Sequence, residues 1–135
     1  EVMTLRAYIY LKLIMLYGDV PLITTGIDIE EGRTVTRTPI SEIWDFIEEE
    51  LTQAAEWLPY ENNGRIGKGA ALALKARAML YSGKFNEAAE AAKEIMDSGV
   101  FSLYPDYFNL FQVVGVCMCP PKPSLMLIQW PMDCL

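Results

Sequence analysis

The sequence predicts an all-α fold of about four helices paired into hairpins, followed by an irregular C-terminal tail. Three observations carry that prediction. Apolar residues recur at spacings of three and four in long segments, Pro and Gly interrupt the chain between those segments, and one interruption is a tight Gly turn between two Ala-rich stretches. With 135 residues the chain is long enough for one domain with a real core, though its buried fraction of surface stays modest.

The first helix is expected from Val2 to about Leu16, with Leu5, Ile9, Leu13 and Leu16 as one apolar stripe. Tyr17-Gly18-Asp19 stops it. Val20, Leu22 and Ile23 around Pro21 predict a short extended exit, and residues 24–36, with Gly26, Gly32 and several charges, predict a surface loop. Thr38-Pro39 marks the start of a second helix. A Thr oxygen can accept from the free N–H groups of the first turn, while Pro at the first helical position has no N–H to be orphaned. Behind it Ile40, Ile43, Trp44, Ile47, Leu51, Ala54 and Leu58 hold one face, and Glu42, Asp45, Glu48, Glu49, Glu50 and Glu56 fall largely on the other. This helix ends before Pro59.

Tyr60 to Gly69 carries Asn62, Asn63, Gly64 and Gly67 and reads as a loop. Ala70 to Tyr81 is apolar almost all round and rich in Ala, which lets neighbouring backbones approach, so this helix is placed in the middle of the stack. Ser82-Gly83-Lys84 ends it. Asn86 is expected to cap a last helix that runs to about Ser98, with Gly99 as a left-handed stop. In that helix Ala88, Ala92 and Ile95 are expected to face inward, and Glu87, Glu90, Glu94 and Asp97 to lie on a solvated stripe beside Lys93. The aromatics Phe101, Tyr104, Tyr107, Phe108 and Phe111 are expected to lie over the helix ends. After Gln112 the composition breaks. Residues 113–135 hold all three Cys, four of the eight Pro and only Lys122 and Asp133 as charges, with no countable period.

Composition excludes several function classes. A hydrophobic fraction of 52% is too high for a disordered chain. A net charge of −7 disfavours nucleic acid and anionic membrane surfaces, which need clustered Lys and Arg. The longest N-terminal apolar run is split by Lys12, so no segment reads as a transmembrane helix. No initiator Met opens the chain, and the native N-terminus is expected upstream of Glu1. Cys117, Cys119 and Cys134 are odd in number and leave the redox compartment open.

For catalysis the residues offer little. There is no His, hence neither the usual general base near neutral pH nor the commonest zinc ligand. Glu48, Glu49 and Glu50 are too close in sequence to face one another across a glycosidic bond and read as a solvated run. Cys117-x-Cys119 lacks both the usual ligand spacing and a second pair, and no Gly-rich phosphate loop follows a strand. Trp44 lies on the apolar stripe and reads as core. Trp57 and Tyr60 at the end of the second helix read as plugs of a core edge, with stacking against a sugar face as the alternative. No catalytic, cofactor-binding or metal-binding residue is expected, and no glycan-binding residue can be named.

The pattern Leu80-Tyr81-x-Gly83-x-Phe85-x-Glu87-Ala88, followed by Ala91, Ala92 and Ile95, resembles the turn of a tetratricopeptide-type hairpin. There the Gly permits the turn, the aromatic packs against the preceding helix and the small Ala permits close crossing. More specifically, Leu5-Arg6-Ala7-Tyr8 with Tyr10, Leu13 and Tyr17-Gly18-Asp19-Val20-Pro21-Leu22 resembles the first helix and exit of SusD-like (RagB/SusD family) proteins. The likeness continues in order through Arg37, Leu58-Pro59, Gly64-Arg65, Lys68-Gly69-Ala70-Ala71, Ala76-Arg77, Leu80-Tyr81, Gly83-Lys84-Phe85, Ser98-Gly99 and Leu110-Phe111. It covers about residues 2–112, which define the expected helical segment 1–112, and it fails in 113–135. That tail is read as translated out of frame, with a divergent extension as the alternative.

The resemblance implies a non-enzymatic scaffold piece of a surface-exposed outer-membrane lipoprotein that captures an oligosaccharide or other nutrient. It further implies a TonB-dependent transporter of the SusC type as partner, and a signal peptide and lipid-anchor Cys upstream of Glu1. The rival expectation is an intracellular tetratricopeptide-type adaptor that binds peptides on a concave helical surface.

Overall fold

The computed structural model describes residues 1–60 and 64–102. The tail 113–135, with its frame question and its three Cys, lies outside the described residues, as do the aromatics from Tyr104 to Phe111. Among the described residues the fold is all-α, as the sequence predicts, with five helices: α1 (Val2–Tyr17), α2 (Ile29–Thr34), α3 (Ile40–Trp57), α4 (Lys68–Ser82) and α5 (Phe85–Asp97). The four long ones stack in chain order, α1 on α3, α3 on α4 and α4 on α5, with a light contact between α1 and α4.

The core face of α1 differs from the expected stripe. Thr4, Ala7, Tyr10, Leu11 and Ile14 are buried, whereas Leu5, Ile9 and Leu16 are 43%, 56% and 74% exposed. Only Arg6 and Lys12 are charged on this helix, so two stripes of equal spacing compete and the pattern alone does not choose between them. The choice is made by the partner. Leu11 and Ile14 join Ile43, Ile47, Leu51 and Met79 in one buried cluster, with the small Ala78 and Ala88 at the crossings. A second cluster of Ala54, Ala55, Ala71 and Leu72 continues the α3–α4 seam, with Met3, Leu58 and Ile95 packed against it.

The exit from α1 is built as a brace. Gly18 takes φ +70° and donates its N–H to the Ile14 carbonyl at 3.0 Å, ending the helix. Val20 then bridges antiparallel to Thr38, whose N–H donates to the Val20 carbonyl at 3.1 Å. The Thr38 hydroxyl accepts from the Leu22 N–H at 3.2 Å, so it does not cap α3 as expected. Asp19 does that instead. Its carboxylate accepts from the Ile40 N–H at 2.9 Å, across the loop from the previous helix. Asp19→Ala should therefore lower stability by about 1 kcal/mol in a denaturant titration, and Asp19→Asn should retain most of it.

Within the expected loop 24–36 stands the short α2, opened by a capping box. Asp28 accepts from the Ile29 N–H at 2.7 Å and Glu31 accepts from the Asp28 N–H at 3.3 Å. None of its residues is buried, so local capping rather than packing makes it helical.

α4 begins two residues before the expected Ala70. Gly67 precedes it, and a Cβ there would stand 2.7 Å from the Tyr60 carbonyl oxygen, which is why the close approach needs Gly. The Lys68 N–H donates to the Pro59 carbonyl at 2.8 Å and closes the loop. Phe101 lies against Gly69 so closely that a side chain at residue 69 would clash with its ring. At the other end Gly83 adopts φ +85°, and the Lys84 N–H reaches the Met79 carbonyl at 2.9 Å, a left-handed stop that makes the tight turn expected there. α5 starts at Phe85 without a side-chain cap, so Asn86 is inside the first turn and does not cap it. This earlier start turns Phe85 outward, 65% exposed, and not onto the preceding helix as the hairpin resemblance implies. Ala88 and Ala91 take the buried positions, while Ala92 and Ile95 are half-buried.

Candidate functional site

The run Glu48-Glu49-Glu50 separates in three directions. Glu48 meets Lys84 on the turn after α4 at 2.6 Å. Glu49 accepts from the Gln53 side chain at 3.2 Å on the exposed side of the same helix. Glu50, expected to be solvated, is 8% exposed, because residues 43, 47, 50 and 54 share one face of α3. Its two oxygens receive Arg6 of α1 in a forked pair, Nε to Oε2 at 3.0 Å and Nη2 to Oε1 at 2.6 Å. No two of these carboxylates face each other, so no acid and base pair is assembled. Among the described residues no cluster of three or more His, Cys, Asp or Glu could hold a metal ion.

Around Arg6 lies the most polar part of the interior. Its guanidinium sits 5.5 Å from the Phe46 ring centre and donates to the Thr24 carbonyl at 3.4 Å. Tyr10 meets Phe46 edge-on at 5.7 Å and 80°. The Tyr10 hydroxyl accepts from the Ile23 N–H at 2.8 Å and donates to the Ile23 carbonyl at 3.0 Å. These contacts tie α1, α3 and the exit 18–24 into one unit. Each polar side chain in the set finds hydrogen-bond partners within it, which makes it an anchor. Its sequence signal was the Leu5-Arg6-Ala7-Tyr8 string; the buried carboxylate partner was the part missed.

Two lysines lock neighbouring helices. Lys84 reaches Asp45 at 2.7 Å and Glu48 at 2.6 Å on α3. Lys68 reaches Glu94 on α5 at 2.8 Å and lies 5.1 Å over the Tyr60 ring. Hydrogen bonds to Asp45 and Glu48 hold the Lys84 ammonium above its ordinary value of 10.5, and the bond to Glu94 does the same for Lys68. A raised folded-state pKa stabilises the fold below the unfolded value, and that contribution is lost as pH rises through the folded one. Thermal stability should thus fall as pH passes 10.5, and Lys84→Met should flatten that fall. Both lysines are part-exposed, so the effect is modest.

The aromatics weighed for sugar contact divide. Trp57 is 78% exposed at the end of α3, not plugging a core edge, while Tyr60 is half-buried under Lys68. Trp57→Ala should change stability by less than about 0.5 kcal/mol in thermal unfolding. Trp44 packs against the main cluster, as expected.

A concave site lies elsewhere, between α1 and α4. A groove of about 110 Å³ is lined by Thr4, Leu5, Tyr8, Ile66, Ala70, Ala73, Leu74 and Arg77. Its lining is largely apolar, with Thr4, Tyr8 and Arg77 as the polar residues, and the Thr4 hydroxyl is buried without a hydrogen-bond partner among the described residues. The clue in the sequence was the outward apolar face of α1, which the stripe assignment placed in the core.

The geometry can be set beside known proteins. The SusD-like family described as starch-binding and associating with the outer membrane matches residues 1–80. SusD-like protein P2 of Formosa agariphila is 35% identical over 112 residues, covering 78% of this chain and 22% of the relative. A SusD-like carbohydrate-binding protein of Bacteroides fragilis superposes with a TM-score of 0.75 at 31% identity, covering 79% of this chain and 22% of that one. A laminarin-binding SusD-like protein superposes with a TM-score of 0.74 at 30% identity, covering 82% and 26%. The chain spans about a fifth of the length of the curated relatives it matches. On the match over residues 1–80, reinforced by the shared helical stack, the chain belongs to the SusD-like family.

Proposed function

We propose that residues 1–112 are the scaffold of a cell-surface glycan- or nutrient-binding lipoprotein that works with a TonB-dependent outer-membrane transporter of the SusC type. The observation that supports this reading is the anchor of Arg6, Tyr10 and Glu50, which ties the family-like string of α1, its exit and α3 into one brace. The carbohydrate-binding and laminarin-binding relatives support a glycan as the ligand of the longer polypeptide. In this reading the protein performs no reaction, and the lipid anchor and signal peptide precede Glu1.

Protease treatment of intact cells tests it. The protein should be cleaved from outside and should co-purify with a TonB-dependent transporter after detergent extraction. Protection in intact cells, together with no transporter in the purified complex, would instead support the intracellular adaptor.

A further inference from the structure

Charge is segregated sharply in this chain. It carries 18 acidic residues, yet α1 and α4 contain none of them, while Arg6, Lys12, Lys68, Lys75 and Arg77 all lie on those two helices. Arg6 and Lys68 are ion-paired. Lys12 and Arg77 have no carboxylate partner among the described residues. Both flank the groove: Arg77 lines it, and Lys12 stands one turn beyond the lining residue Tyr8, 5.6 Å over its ring.

The surface around the groove is apolar. Leu5, Ile9 and Leu16 of α1 and Leu80 and Tyr81 of α4 are exposed. A helix that is apolar nearly all round belongs inside a larger body, and among the described residues α1 packs mainly on α3.

We propose that the α1–α4 groove seats an acidic amphipathic helix contributed by the polypeptide outside residues 1–135. Its apolar ridge would enter the space lined by Leu5, Tyr8, Ala73 and Leu74, and its carboxylates would meet Arg77 and Lys12. Two features select this occupant. The groove's free charges are cationic, complementary to a carboxylate-bearing helix. The relatives carry roughly four-fifths of their length outside the matched region, since the match covers 22% of one of them. The proposal rests on family membership and holds whatever ligand the protein takes.

Thiol labelling tests it. Ala73→Cys is placed in a background in which every other cysteine, Cys117, Cys119 and Cys134 of the 135-residue chain included, is changed to Ser. Maleimide labelling is then compared between the 135-residue chain and the longer polypeptide. The expected result is a rate at least tenfold slower in the longer polypeptide, restored toward the shorter chain's rate by Arg77→Glu. Equal rates in the two would overturn the proposal. So would protection in the shorter chain that grows with its concentration, which would assign the groove to a second copy. A second readout needs only the longer polypeptide: Arg77→Glu should lower its Tm more than Lys93→Glu, on the solvated side of α5, and equal Tm values for the two variants would also overturn it.

Discussion

Arg6→Ala should lower the free energy of unfolding by roughly 3 kcal/mol, read from the shift of a urea midpoint at constant slope. The substitution leaves the Glu50 carboxylate 8% exposed and without its cation. Stranding one member of a buried pair costs about 3–5 kcal/mol, and the Arg6 side chain is 34% exposed, which places this case toward the low end. It also removes the donor to Thr24 and the cation over Phe46. Replacing both partners with apolar residues, Arg6→Met with Glu50→Leu, should recover most of the loss, because no charge is then left buried. If the single and double variants are equally destabilised, the cost lies in packing and the pair is not an anchor.

Ile47→Ala should be as damaging, by about 2–5 kcal/mol. Ile47 is fully buried at the centre of α3, in the cluster that joins α1 to α4. Truncation removes apolar contacts on both sides of the helix and opens a cavity that rigid neighbours such as Leu11 and Leu51 fill only in part. The same change at Ile9, 56% exposed in the shorter chain, should be nearly silent there. The contrast separates the observed face of α1 from the Leu5–Ile9–Leu16 stripe, which would make Ile9 the costly position.

Helix positions were legible because breakers stand between amphipathic segments. Gly18, Pro39, Gly83 and Gly99 each end or begin an element where expected. Facing was legible in α3, where acids mark the outside, and illegible in α1, where no acid does. Glu50 escaped because a residue type was read as exposed while its spacing placed it inward. The cap of α3 escaped because Asp19 is 21 residues from Ile40, and a cap delivered across a loop leaves no local pattern. The groove between α1 and α4 has no motif at all. It follows from two separately legible facts, apolar faces and missing acids, that only the packing brings side by side.

Calorimetric titration of the longer polypeptide with oligosaccharides of laminarin and starch bears most directly on whether this segment is scaffold. Trp57 and Tyr60, at the end of α3, are the aromatics that the sequence offers for stacking on a sugar. Trp57→Ala and Tyr60→Ala should each leave the Kd for the better-bound glycan within about twofold of the parent, since a scaffold contributes no contact to the ligand. A tenfold or larger weakening by either substitution, about 1.4 kcal/mol of lost binding, would place the ligand site on this segment and contradict the scaffold assignment.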